Sequence, residues 1–150
     1  MYESSVRLAP VIVAAALAAC THPPPDATPE GAVGEWLGHM ALADDPKEAK
    51  AAFDLMGPTA RANLEERAAR ASQVEGQRVV GHDMLAGGYF GLRFRPRKMK
   101  ATVEGASATV HVTGNDPSEA ADVRCVREGT LWRVEPELPE PQVLPKRDGG

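Results

Sequence analysis

Cysteine occurs only twice in the 150 residues, and aromatic side chains make up 5% of them. Two thiols are too few for a disulfide scaffold or a Cys-rich zinc module. Net positive charge is missing as well: 17 Lys and Arg against 21 Asp and Glu leave −4, which gives the chain as a whole no electrostatic reason to seek nucleic acid. There is no P-loop, G-x-G-x-x-G, H-E-x-x-H or G-x-S-x-G motif, and the four histidines share no metal-ligand spacing, so nothing here calls for a metal or cofactor. The apolar run at residues 8–19 covers 12 residues. As a helix it would span about 18 Å, well short of a ~30 Å hydrocarbon core. What is present, 43% hydrophobic and 25% charged residues, is an ordinary globular balance with room for one domain.

The apolar run has the length of a signal-peptide core and follows a short polar stretch containing Arg7. It ends in Leu17-Ala18-Ala19-Cys20, which resembles the bacterial lipobox: an aliphatic residue, two small residues and the cysteine that takes a diacylglycerol and becomes the new N-terminus. The resemblance implies acylation at Cys20, a membrane partner reached through that lipid, and an envelope location. Thr21, where an Asp would favour inner-membrane retention, favours the outer membrane. Ala16-Leu17-Ala18 also offers an ordinary cleavage site, in which case Cys20 would stay free to pair with Cys125. Cleavage before Cys20 removes Glu3 and Arg7 together, so 16 basic and 20 acidic side chains remain and the charge stays −4.

Residues 20–29 read as a lipidated cysteine and a Pro-rich tether, with four prolines between His22 and Pro29. An extended polyproline conformation would hold a domain about 25 Å from the bilayer. Residues 136–150 repeat that composition and are expected to fray. Residues 30–135 are expected to form the domain. Thr28-Pro29 predicts a helix start, and Val33, Trp36, Leu37 and Met40 give it an apolar stripe ending near Ala43. Asp45 with Glu48 has a capping-box spacing, and Ala49, Ala52, Phe53 and Met56 continue the period until Gly57-Pro58. A third helix carries Ala60, Leu64, Ala68 and Ala71 and stops at Gly76. Residues 77–88 hold at most a single turn before a glycine hinge. From Tyr89 the period becomes 2: Phe90, Leu92 and Phe94; Met99, Ala101 and Val103; Ala108, Val110 and Val112; Ala121, Val123 and Cys125; Trp132 and Val134. Helices followed by an antiparallel meander predict the α+β class, with the N-terminal helices on one face of a curved sheet.

Thr28-Pro-Glu-Gly-Ala-Val33, Trp36-Leu37, Asp44-Asp45-Pro-Lys-Glu-Ala49, Met99 to Val112 and Val126 to Glu135 resemble the nuclear transport factor 2-like superfamily. More narrowly, they resemble small bacterial lipoproteins carrying one such cone-shaped α+β domain. The resemblance covers roughly residues 28 to 138 and its motifs are structural, so it implies a fold rather than a reaction. Enzymes of that superfamily use an Asp or His base, often with a Tyr, in an apolar cone. No motif carries those roles onto residues of this chain, and the long stretch between the third helix and Met99 departs from the enzyme members.

Among candidate sites, His82-Asp83 has the adjacency of a proton-transfer pair and equally that of a helix cap. His111 alternates with Val110 and Val112 and should face solvent, His39 borders the first apolar stripe, and His22 lies in the tether. Cys125 falls on the apolar side of its strand, as a buried structural thiol would. The feature above background is Arg93, Arg95, Arg97, Lys98 and Lys100, five cations within eight residues of an acidic protein. Arg93, Arg95 and Arg97 share strand parity. They are a candidate row for an anionic partner, such as lipid headgroups or an acidic envelope protein, or else, with Pro96, a guard against strand-edge aggregation. The sequence therefore points to a non-enzymatic binding or interaction module anchored at the envelope. The alternative is a small-molecule isomerase or dehydratase with His82 or Asp83 as base.

Overall fold

The computed structural model describes residues 22–86 and 91–140. Its chain order is a 3-10 turn Pro25–Ala27, helices α1 (Pro29–Met40), α2 (Pro46–Asp54) and α3 (Pro58–Glu75), a second 3-10 turn Gly81–Leu85, and strands β1 (Lys98–Glu104), β2 (Ser107–Thr113), β3 (Ala120–Glu128) and β4 (Leu131–Glu135). The strands form one antiparallel sheet in the order β1-β2-β3-β4. This is the α+β class the period change predicts.

Each helix begins where local chemistry satisfies its free amides. Thr28 Oγ1 accepts from Gly31 N at 3.1 Å with Pro29 at the first helical position, and Asp45 Oδ1 accepts from Lys47 N at 2.8 Å. The expected capping box does not close, because Glu48 turns instead to His39, Oε2 to Nδ1 at 2.6 Å. The first residue before α3 is Gly57, which has no side chain to cap with. The carboxylate of Glu135, at the far end of β4, accepts from Thr59 N and Ala60 N at 2.9 Å each. A Cβ on Gly57 would lie inside van der Waals contact with that carboxylate. α3 ends at Gly76, whose φ of 69° is the left-handed C-cap conformation glycine adopts without steric cost.

The core is the seam between α1 and the sheet. Ala32, Val33, Trp36 and Met40 meet the inward side chains Ala108, Val110, Val112, Val123, Cys125, Trp132 and Val134. Met56, Leu64 and Leu85 extend the same cluster under α2, α3 and the second turn. The β4 edge is paired with the α2–α3 link, and the β1 edge is met at one amide. Gly57 N donates to Val134 O and Val134 N to Leu55 O along β4, while Ala101 N on β1 donates to Glu30 Oε1 at 2.9 Å.

Three expectations are corrected. Residues 91–97 form no strand; they run irregularly along the core and first hydrogen-bond to the sheet where Arg97 N donates to Thr113 O at 2.7 Å. Pro96 has no amide to give a ladder, which accounts for pairing beginning only beyond it. Tyr89 and Phe90, placed in that strand by their period, lie outside the described residues. Second, the fold starts before residue 30. Asp26, in the first 3-10 turn, is buried and its Oδ2 accepts from Arg133 Nη1 at 2.6 Å, so Pro25–Ala27 is docked structure rather than free spacer. Third, the start of the Pro-rich tail is also held: Leu138 packs on the core, and Pro139 O accepts from Arg67 Nη2. Residues 1–19, Cys20, Thr21, Gly87 and Gly88 of the expected hinge, and residues 141–150 lie outside the described residues.

Candidate functional site

The five cations keep their exposure but not the single row. Arg93, Arg95 and Arg97 are exposed on the irregular segment, alternating with half-buried Leu92, Phe94 and Pro96, so the in-out period survives without a ladder. Lys98 and Lys100 are exposed on β1, where the parity has shifted by one; Lys100 stands across from His111, which is itself bound to Asp122 through Nδ1 and Oδ1 at 2.7 Å. No carboxylate of the described residues forms a salt bridge with any of the five. The contrast is with Arg61, Arg70 and Arg133, each paired to a glutamate or aspartate.

The half-buried side of the same segment makes one wall of a groove of about 490 Å³. Leu37, Met40 and Ala41 from the last turn of α1 face Leu92, Phe94 and Pro96, and Arg93 and Arg95 line it as well. The reason for the groove is local. α1 stops at Met40 because the following residues turn toward Asp45, and the segment entering β1 passes beside that blunt end without covering it. The result is an apolar floor with Arg93 and Arg95 on its rim, neither in a salt bridge among the described residues. Sequence reasoning located the cations and missed the groove, whose far wall is the α1 stripe residues Leu37 and Met40 more than fifty positions away.

The remaining candidates take structural places. Asp83 Oδ2 accepts from Val80 N at 3.0 Å, capping the short turn; His82 Nε2 stands 3.7 Å from Asp83 Oδ1 and meets Phe53 edge-on. Neither borders the groove. The helix-facing side of the sheet is filled by apolar side chains, and the buried charged residue among those described is Asp26, engaged with Arg133. Cys125 is 1% exposed, and its thiol is pushed up to about 12 by burial and then by the Glu30 carboxylate, far from the thiolate a nucleophile needs. Among the described residues no three His, Cys, Asp or Glu side chains cluster as a metal site requires, and no helix is long and apolar enough to cross a membrane.

Comparison with known proteins returns nothing similar: no family model, curated protein or solved structure matches the chain.

Proposed function

We propose that the chain is an envelope lipoprotein, anchored by a lipid on Cys20 in the outer membrane, whose single domain of the nuclear transport factor 2-like kind is a non-enzymatic module that engages anionic lipid headgroups. The observation that carries this reading is the set of five exposed cations, Arg93, Arg95, Arg97, Lys98 and Lys100, without carboxylate partners among the described residues of a protein of net charge −4. Two of the five, Arg93 and Arg95, line an apolar groove, and a cluster of exposed basic side chains is what attracts an anionic surface. The docked 3-10 turn strengthens the case. With the fold beginning at Pro25, only residues 20–24 separate the lipid from the domain. At ~3.1 Å per residue such a tether reaches about 16 Å at most, short enough to bring the cations against the headgroups; contact is required because surface charge is largely screened beyond a Debye length of about 8 Å.

The test is sedimentation of the full chain carrying Cys20→Ser with vesicles of phosphatidylglycerol and phosphatidylethanolamine, against the same chain with Arg93→Glu and Arg95→Glu. Each basic residue near an anionic surface contributes about 1 kcal/mol, so the double reversal should abolish the salt-sensitive part of the binding. Unchanged binding would leave the cations as an edge guard and refute the proposal.

A further inference from the structure

The groove beside the cations has a shape and chemistry of its own. Its floor is apolar, from Leu37, Met40 and Ala41 on α1 and from Leu92, Phe94 and Pro96 on the facing segment, and Arg93 and Arg95 are the charged residues lining it. Its volume of about 490 Å³ falls in the ~300–1,000 Å³ range of small-molecule sites. A headgroup alone would use the arginines and leave the floor wet; an uncharged apolar ligand would use the floor and gain nothing from the two exposed arginines on its rim. One chemistry satisfies both halves, an unbranched acyl chain ending in an anion. We propose that this groove binds a single-chain anionic amphiphile of the fatty-acid type, the chain lying between the end of α1 and residues 91–96 and the carboxylate meeting Arg93 and Arg95. The inference rests on the anion-binding reading above and deepens it from a surface to a site.

Charge complementarity identifies the occupant. Among the described residues no acidic side chain lines the groove, although the protein carries 21 of them. Ala41 decides access. It is an exposed residue in ordinary helical conformation at the C-cap of α1, so a large side chain there enters the groove without disturbing the core.

The experiment is calorimetric titration of the full chain carrying Cys20→Ser with decanoate, dodecanoate and tetradecanoate, each below its micelle concentration. The apolar segment at residues 8–19 is common to every variant and cancels in the comparison. Burial of methylenes predicts that each two-carbon lengthening tightens binding about tenfold. Ala41→Trp should abolish the chain-length dependence while the urea midpoint stays near that of the parent. Arg93→Glu with Arg95→Glu, both on exposed positions, should weaken every member of the series about tenfold and flatten none of it. Affinity independent of chain length, or undiminished in Ala41→Trp, overturns the groove. If the vesicle binding above still depends on Arg93 and Arg95 in that case, the surface reading stands alone; if it does not, both fall.

Discussion

Removing Arg133 should destabilise the domain more than removing Asp26, although the two form one ion pair. The pair joins the start of the described chain to β4, with Asp26 Oδ2 and Arg133 Nη1 2.6 Å apart and side-chain exposures of 12% and 16%. In Asp26→Ala the guanidinium keeps Glu128, Nε to Oε2 at 3.1 Å, and the Trp132 carbonyl at 3.0 Å. The loss is then one charge-assisted hydrogen bond, about 1.5–3 kcal/mol. In Arg133→Met the Asp26 carboxylate stays buried with no other partner among the described residues, and stranding a buried charge costs about 3–5 kcal/mol. The double variant removes the stranded charge, so its loss should fall well short of the sum. Urea unfolding of the four chains at neutral pH closes the cycle. Equal losses for the two single variants with coupling under about 0.5 kcal/mol would refute the account of a desolvated latch and make the contact an ordinary surface pair.

The α3 cap makes a second prediction: Glu135→Ala should cost about 1–2 kcal/mol by freeing the Thr59 and Ala60 amides. Gly57→Ala should cost as much by displacing the same carboxylate, and the two substitutions together should be clearly less than additive in thermal unfolding. The Cys125 thiol predicts a pH dependence. Its folded value is raised from 9.0 to about 12, so its contribution to stability is complete below pH 9 and is lost as pH rises toward 12. Cys125→Ala should flatten that alkaline limb, and in the parent a thiol reagent should label the residue at the rate of unfolding; rapid labelling of folded protein at neutral pH would show the thiol to be accessible.

How much of this was legible in the sequence depends on the separation of the partners. α1 and α2 follow from Thr28-Pro29 and Asp45-Pro46, whose caps act within three residues, and the inward residues of β2 and β4 follow from strict alternation; on β1 the same period holds for Met99 and Ala101 but fails at Val103, which is 52% exposed near the end of an edge strand. The alternation of Leu92 and Phe94 misled because an extended coil pressed against a helix end has the same two-residue period as a strand; Pro96 carried the contrary signal and the missing ladder followed it. The docked turn was hidden because a run of prolines reads as a spacer whatever it touches, and the partner that fixes Asp26 lies 107 positions away. The same holds for the Glu135 cap, 75 and 76 positions from the amides it serves. The candidate site divides along that line: its cations are contiguous in the chain and were visible, while its apolar floor joins two segments that only the fold brings together.

The claim on which the functional account stands is the anchor, and the most direct measurement of it is the intact mass of the protein extracted from native membranes, beside a Cys20→Ser copy. The account predicts a chain beginning at Cys20 that carries a diacylglycerol and loses it in the substituted copy. An unlipidated chain beginning at Ala19 would contradict it, and would leave the Cys20 thiol free.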